Sequence, residues 1–192
     1  MEKLRRQVEA YIPSNEQEEQ DRALLLRWID SGADILTREN QVAHLTVSAW
    51  VMSPDRKSVL MAYHNLYDSW AWLGGHADGE ADLLAVALRE AEEESGVERV
   101  SVVSDEILSI ETLCVEGHEK RGKYVPCHLH LNVTYLLEAD PGLPLRVKSD
   151  ENSAVAWITV EDIPEKSTEK WFVERVYPKL CEKAKNYPPV LR

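Results

Sequence analysis

The sequence predicts an α/β or α+β sandwich, in which helices flank a mixed β-sheet and a helical extension stands at the N-terminus. Three observations support this fold class. Several short segments alternate apolar and polar residues, as half-buried strands do. Residues 82–95 carry apolar side chains at the spacing of an amphipathic helix. Helical patterns also occupy both ends of the chain.

The first forty residues have a helical pattern. Ser14 or Asn15 is a candidate N-cap for a helix that starts with acidic residues, and Ser31-Gly32 is a stop signal. We therefore expect an N-terminal helical extension over residues 1–40 and a main domain over residues 41–192. Because a helix with an exposed apolar stripe needs a partner surface, the extension is a candidate dimerisation element or lid.

The main domain begins with a predicted hairpin. Residues 44–52 alternate, Ser53-Pro54-Asp55-Arg56 supplies turn chemistry, and residues 58–63 form the returning strand. Further strands are predicted at about 99–104, 107–116, 126–137 and 154–159.

Two helices are predicted within the main domain. The first covers residues 82–95, with Asp82 at the N-cap position and Gly96 where a left-handed residue ends the helix. The second covers about residues 168–185 and closes the chain. Mixed strands between these helices complete the predicted sandwich.

Length and charge exclude several classes of protein. The chain has 192 residues, enough for one domain and a modest extension. Asp and Glu total 34 against 22 Lys and Arg, which gives a formal net charge of −12. Such a surface repels phosphate backbones unless the basic residues are concentrated, and here they are dispersed. We therefore expect no nucleic-acid polymer as a partner.

The sequence also predicts a cytoplasmic protein with no membrane partner. No apolar stretch approaches the roughly 18 to 20 residues that cross a bilayer, and the N-terminus lacks the apolar segment of a signal peptide. Cys114, Cys127 and Cys181 are widely spaced and form no CxxC pair, so neither a disulfide framework nor a zinc site is indicated. We expect reduced, buried thiols.

Three carboxylates share one face of the predicted helix over residues 82–95. At about 100° per residue, Glu90, Glu93 and Glu94 fall beside the apolar stripe, whereas Glu92 points elsewhere. Like charges at this spacing repel, and the helix macrodipole disfavours them at a C-terminal end. A solvated acidic face is one interpretation, and a site for a hard divalent cation such as Mg²⁺ or Mn²⁺ is the other.

The wider segment resembles a known family motif. Gly75-x5-Ala81-x7-Arg89-Glu90-Ala91-x-Glu93-Glu94-x-Gly96-Val97 is similar to the Nudix box, Gly-x5-Glu-x7-Arg-Glu-U-x-Glu-Glu-x-Gly-U, where U is apolar. The departure is Ala81, which stands where the family usually has its first Glu. Glu80 and Asp82 flank it, so the departure concerns loop geometry more than catalysis. The resemblance implies a Nudix-like α/β/α sandwich.

The resemblance also implies an activity, namely metal-dependent hydrolysis of a nucleoside diphosphate linked to another moiety. The metal, Mg²⁺ or Mn²⁺, would be held by Glu90, Glu93, Glu94 and the carbonyl of Gly74, and Arg89 would hold the Glu side chains. A water activated by the metal would attack phosphorus. Glu93, Glu94 and Arg89 are thus the predicted catalytic residues. Family members place the general base either in the motif or on a later loop, and Glu151 is a candidate for the later-loop base or an exposed turn residue.

Substrate-binding residues are predicted outside the motif. Trp70 and Trp72 precede the glycines on one face of a strand, and each either stacks on a base or packs in the core. His76 follows the glycines and is a candidate phosphate contact or a structural loop residue.

A polar row on the strand over residues 126–137 is a further candidate cleft lining. The row comprises His128, His130, Asn132 and Thr134, and a hydrogen-bonded or solvated face is the alternative. Without an acidic partner at ligand spacing, His128 and His130 do not predict a zinc site. The basic run Lys120-Arg121-Gly122-Lys123 is either a hairpin tip or a loop that contacts the distal phosphate of the substrate.

Other readings of the same fold are an isopentenyl-diphosphate-isomerase-like enzyme, which would release no phosphate, and a non-catalytic module that binds a diphosphate ligand. The intact Glu trio favours hydrolysis. The substrate class stays open among nucleoside triphosphates, ADP-ribose, dinucleoside polyphosphates, nucleotide sugars and coenzyme A derivatives. The resemblance also makes a homodimer a reasonable expectation.

Overall fold

A computed structural model describes residues 1–120, 122–148 and 152–190, with only the backbone of Lys120 described. The chain starts with two helices, α1 (Glu2–Ala10) and α2 (Glu16–Asp30). Asn15 is the N-cap of α2, and its side-chain oxygen accepts a hydrogen bond of 2.9 Å from the Glu18 amide. The predicted N-terminal helices and the cap at residue 15 are therefore confirmed.

The described residues contain an eight-stranded mixed sheet. Its central pair is parallel, and the other pairings are antiparallel. Its strands are β1 (Ala43–Met52), β2 (Ser58–His64), β3 (Ser69–Ala71), β4 (Leu73–His76), β5 (Ser101–Val102), β6 (Ser109–Val115), β9 (His128–Glu138) and β10 (Asn152–Thr159), and β7 (His118–Lys120) and β8 (Lys123–Val125) form a separate hairpin. Along the main path the strand order is β10-β2-β1-β9-β5, with β3 on β2, β4 on β1 and β6 on β9.

The parallel pair β1 and β9 determines where polar side chains meet. The two strands run in register, so that His44 lies opposite His130 and Thr46 opposite Asn132. Strand β4 adds to the other edge of β1 and brings His76 opposite Thr46. The predicted hairpin of β1 and β2 is present, but its pairing is confined to the turn end, at Met52 and Val59. Farther along β1, residues 46–49 pair with β4 instead.

The described residues after α2 contain further helices, and the longest of these are one after β4 and one near the C-terminus. Helix α3 (Leu83–Ser95) follows β4, and Gly96 ends it with a left-handed φ of 69°, as predicted. The C-terminal region contains a 3₁₀ turn (Val160–Asp162), α4 (Ile163–Lys166), a π-helical segment (Phe172–Val176) and α5 (Tyr177–Ala184). The predicted mixed sheet between helices is confirmed.

Two hydrophobic clusters bury the two faces of the sheet. Val47, Ala49 and Val51 of β1 belong to the first cluster with α3, whereas Trp50 and Met52 belong to the second with α5. This alternation is expected when both faces of a strand are covered. Among the described residues, no helix has the length and apolar character to span a membrane.

The N-terminal helices pack against their own chain. Leu4 and Val8 of α1 and Leu25 of α2 are buried members of the first cluster. The apolar stripe that made this segment a candidate lid or dimerisation element is thus covered within one chain. The division at residue 40 stays a prediction.

Two smaller features qualify the sequence predictions. The basic run lies in a hairpin of β7 (His118–Lys120) and β8 (Lys123–Val125), in which Lys120 pairs with Lys123 in register. Arg121 lies outside the described residues. The expectation of buried thiols is wrong for Cys114 and Cys127, which are exposed with sulfur atoms 3.8 Å apart. Both lie near the outer ends of β6 and β9, where core packing no longer covers them.

Candidate active site

The carboxylates of the motif are carried by α3, which packs on β4 and β1. The apolar side chains of α3, including Val86, Ala87 and Ala91, are buried in the first cluster. This packing turns the neighbouring face of the helix toward the Gly74-Gly75 backbone. Glu90 and Glu94 lie on that face, at the end of β4.

Glu94 is buried, with 6% of its surface exposed. One carboxylate oxygen accepts a hydrogen bond of 2.8 Å from the Gly74 amide, and the other accepts one of 3.1 Å from the side chain of Asn152. Burial raises the pKa of Glu94 to about 7, and the charge of Glu90 acts in the same direction against these hydrogen bonds. A cation placed beside this carboxylate would favour its charged form.

Glu90 lies directly over Gly75. A Cβ atom at residue 75 would stand 2.6 Å from the carboxyl carbon of Glu90, so the glycine makes room for this carboxylate. Arg89 donates a hydrogen bond of 3.1 Å to Glu90 and lies 4.0 Å from an oxygen of Glu93. Arg89 is therefore in position to orient two of the three predicted ligands.

Glu93 is exposed and forms an ion pair with Lys148, at 3.4 Å. The carboxylate oxygens of the three glutamates are spread apart and do not all lie within 4.8 Å of one another. Among the described residues, only a group of three histidines has potential ligand atoms that close together. Each glutamate instead has its own protein contact. Joint coordination of one ion requires side-chain rotation, chiefly of Glu93 away from Lys148.

The loop before α3 contains the departure from the family motif. Ala81 is exposed, and the carboxylate of Glu80 accepts a hydrogen bond of 2.8 Å from the amide of Asp82. Asp82 occupies the N-cap position of α3 without a side-chain capping bond. A neighbouring carboxylate thus braces the loop at which the family has its first Glu.

The candidate general base, Glu151, lies outside the described residues. The described residues on either side of its segment both contact the motif, Lys148 through Glu93 and Asn152 through Glu94. Asn152 is the first residue of β10 and is itself buried.

The comparisons with known proteins decide the family. The NUDIX domain family model matches residues 42–180. The chain belongs to the Nudix hydrolase family. The match confirms the resemblance that residues 75–97 carry, and with it the expectation of a hydrolase of this family. No match was found among the curated protein sequences.

Solved structures of the family share the fold of this Nudix protein at low identity. A Nudix-family hydrolase from Clostridium perfringens is 20% identical with a TM-score of 0.52, covering 71% of this chain and 95% of its own. RenU from M. smegmatis is 17% identical with a TM-score of 0.53, covering 85% and 97%. An Ap4A hydrolase from C. elegans is 18% identical with a TM-score of 0.50, covering 74% and 95%.

The predicted base-stacking residues of this Nudix protein lie away from the glutamates. Trp70 and Trp72 both pack against the second cluster. Trp70 meets Tyr63 edge to face at 5.6 Å between ring centroids, and Trp72 meets Phe172 at 5.4 Å. Of the two interpretations, core packing describes the arrangement of both rings.

The polar row of β9 divides into two halves. Asn132 and Thr134 are buried, and the oxygen of Asn132 accepts hydrogen bonds of 3.0 Å from both Thr46 and Ser48. Glu111 of β6 accepts weaker bonds from Asn132 and Thr134, at 3.3 and 3.4 Å. This half of the row is a hydrogen-bonded interior face.

A buried ionic cluster closes that half of the row. It comprises Glu18 of α2, Glu111 of β6 and Lys179 and Lys183 of α5. Lys183 donates to both oxygens of Glu18, at 2.7 and 2.8 Å. Burial by itself raises the pKa of Glu18, but hydrogen bonds from Lys183, the Ser14 amide and Tyr11 outweigh burial and lower that pKa to about 2.

Sequence reasoning missed this cluster, since its members are scattered acidic and basic residues that look solvent-exposed in the sequence.

The other half of the polar row of β9, His128 and His130, packs against further histidine rings. His128 and His130 of β9 meet His44 of β1, with ring centroids 4.9 and 5.1 Å from that of His44. His76 of β4 completes the assembly, at 4.9 Å from His130. Burial, together with the neighbouring imidazoles, lowers the pKa of His130 to about 2. His44 was not singled out from the sequence, because a lone histidine at a strand start carries no local signal.

Proposed function

We propose that this Nudix protein is a metal-dependent pyrophosphohydrolase that cleaves the anhydride bond of a nucleoside diphosphate linked to another moiety. The observation that carries the proposal is the buried carboxylate of Glu94 against the Gly74 amide, with the carboxylate of Glu90 beside it over Gly75. Two glutamates at the end of a glycine-rich strand are a costly arrangement unless a cation joins them.

The donor set fits Mg²⁺ or Mn²⁺. Glu90, Glu93 and Glu94 offer carboxylate oxygens only, which are the ligands that hard divalent cations prefer, and we assign the Gly74 carbonyl as a further ligand. When bound, such an ion neutralises anhydride oxygens and lowers the pKa of the attacking water. Arg89 acts as a positioning residue, because it lies between Glu90 and Glu93.

We assign Glu151 as the general base that takes the proton of the attacking water. Support comes from its chain neighbours, since Lys148 contacts Glu93 and Asn152 contacts Glu94.

The proposed substrate is a small nucleotide derivative. The net charge of −12 disfavours a polymeric nucleic acid. His76 lies among the rings of His44 and His130, so we assign it no contact with the phosphates. The homodimer and the cytoplasmic location stay predictions.

The test is a panel of diphosphate-linked nucleotides incubated with Mg²⁺, with Mn²⁺ and with chelator. Phosphate is read after coupling to a phosphatase or pyrophosphatase. We expect release that depends on metal, is selective for one substrate class, and is lost in Glu93→Gln. A folded wild-type protein that releases no phosphate from any compound would contradict the proposal, as would full activity in chelator.

A further inference from the structure

Three histidines of neighbouring strands form a compact group, which we call the histidine group: His44, His76 and His130. One ring nitrogen of each lies within 4.8 Å of the others, and among the described residues no other set of three His, Cys, Asp or Glu is this close. His44 is 4% exposed, and the other two rings are half-buried.

The sheet assembles the group from strands that are far apart in the chain. His44 of β1 lies opposite His130 of β9, and His76 is placed by the pairing of β4 with β1. Successive side chains of a strand point to opposite faces. Gly75 is turned toward Glu90 of α3, so His76 is on the other face, away from the glutamates.

The hydrogen bonding of His44 engages one ring nitrogen and leaves the other without a protein partner among the described residues. Its Nδ1 lies 3.0 Å from the Asn40 carbonyl oxygen and donates there, so its Nε2 carries the lone pair. That Nε2 is buried and has no hydrogen-bond partner among the described residues. A carbonyl that fixes the tautomer of one ring nitrogen is the usual support of a histidine whose other nitrogen binds metal.

His128 repeats this pattern beside the group. Its Nδ1 lies 2.8 Å from the Pro126 carbonyl oxygen, and its Nε2 lies 3.2 Å from the Nε2 of His130. Two nitrogens that bind one tetrahedral zinc ion at about 2.0–2.1 Å are about 3.3 Å apart. The pair is therefore already at the separation of two ligands of one ion.

We propose that the histidine group binds one transition-metal ion of the zinc type, with His128 as an adjacent fourth imidazole. Neutral imidazole suits Zn²⁺ and its first-row neighbours, whereas Mg²⁺ and Mn²⁺ favour the oxygens of the glutamates. The site is thus chemically distinct from the one on α3 and does not depend on the proposed hydrolysis. Bound there, the ion ties together β1, β4 and β9 one residue from Gly75.

The test measures zinc binding in the presence of excess Mg²⁺, which occupies the carboxylates. Purified full-length protein is stripped with chelator, incubated with Zn²⁺, passed through gel filtration and analysed for metal content. We expect one equivalent of Zn²⁺ to be retained. His44→Gln and His130→Gln should each weaken zinc binding on the order of 100-fold. Cobalt substitution should give visible ligand-field absorption in the wild type and not in these variants.

Two controls separate this site from the rest of the protein. His64→Gln changes a histidine that stacks on Tyr67, 4.5 Å away, and should retain zinc fully. Glu93→Gln should lose hydrolysis and keep zinc, so failure of one proposal is distinguishable from failure of the other. Circular dichroism of each metal-free variant checks folding, and the half-buried His130 gives a second variant if His44→Gln unfolds.

Retention of no zinc by the wild type would overturn the proposal. Equal loss of zinc in Glu93→Gln and His44→Gln would overturn it as well, because the ion would then be on the carboxylates. Binding of inorganic pyrophosphate at these histidines, without zinc, would assign them to an anion instead.

Discussion

Two buried glutamates of this protein, Glu18 and Glu94, have opposite electrostatic environments. Glu18 receives hydrogen bonds from Lys183 and its pKa is lowered to about 2, whereas burial beside Glu90 raises the pKa of Glu94 to about 7. The difference lies in the neighbours, since Glu18 accepts hydrogen bonds from a partly buried lysine, whereas Glu94 accepts them from neutral donors and feels the charges of Glu90 and Lys148 only through space. Under the proposed function, this difference separates a structural carboxylate, which is neutralised within the chain, from one whose charge a bound cation would balance.

The largest expected effect is on stability, at the ionic cluster. Lys183→Met leaves Glu18 buried without its main partner, and breaking a buried pair in this way costs about 3–5 kcal/mol of the free energy of unfolding. Urea denaturation followed by circular dichroism measures it. Lys185→Met is the control, because Lys185 is exposed and forms its ion pair with the neighbouring, exposed Glu182. Equal stability of both variants would show that the cluster contributes little.

The second effect is on catalysis, at the glutamates of α3. Glu94→Gln removes a proposed metal ligand and should lower kcat by about 10²–10³-fold, a loss comparable to that of one electrostatic group in other active sites. The free energy of unfolding should change little, since the amide replaces a carboxylate that burial disfavours. Glu92→Gln is the matched control on the exposed side of the same helix. Retained activity in Glu94→Gln would remove this residue from the metal site.

The third prediction compares adjacent glycines. A Cβ at residue 75 meets the mobile carboxylate of Glu90, so Gly75→Ala should lower kcat or metal affinity about tenfold while the fold persists. A Cβ at residue 74 meets the Val47 carbonyl in the sheet, which cannot move as easily. Gly74→Ala should therefore lower the melting temperature. Thermal melts and steady-state kinetics on both variants separate the two outcomes, and a reversed pattern would contradict this account of the strand.

The smallest effect is on the pH dependence of stability. Because the pKa of Glu18 is lowered in the folded state, its stabilisation is present above the unfolded pKa near 4.5 and is lost as the pH falls toward 2. The difference in free energy of unfolding between wild type and Glu18→Gln should shrink by about 1–2 kcal/mol between pH 6 and pH 3. Urea titrations across this range measure it. A difference that is constant with pH would mean that the charge of Glu18 is not what stabilises the fold.

Sequence-based prediction succeeded where the signal is local. The spacing of Arg89, Glu90, Glu93 and Glu94 places them on one helix face whatever surrounds the helix, and Asn15 and Gly96 mark helix ends through short-range hydrogen bonding and backbone conformation. The alternation of β1 and β9 was recognisable for the same reason. Prediction was weaker for β4, which is only four residues long and contains two glycines.

Long-range pairs had no such signal. Glu18 and Lys183 are 165 positions apart, and nothing in the sequence near either one distinguishes it from an exposed residue. His128 and His130 by themselves did not predict a metal site, because the other two histidines enter through the pairing of β1 and β4 with β9. The packing of Trp72 likewise depends on Phe172, a residue 100 positions away whose contact the local sequence does not indicate.

The sequence by itself determined the family and the helix that carries the glutamates, because these depend on residue type and on the helical repeat. Only the tertiary structure decided which carboxylates are neutralised within the chain and which are not. It also decided that three histidines meet on one face of β1, β4 and β9. The physical reason is that charge compensation and ligand geometry depend on distances across the sheet, which strand register sets and local sequence does not.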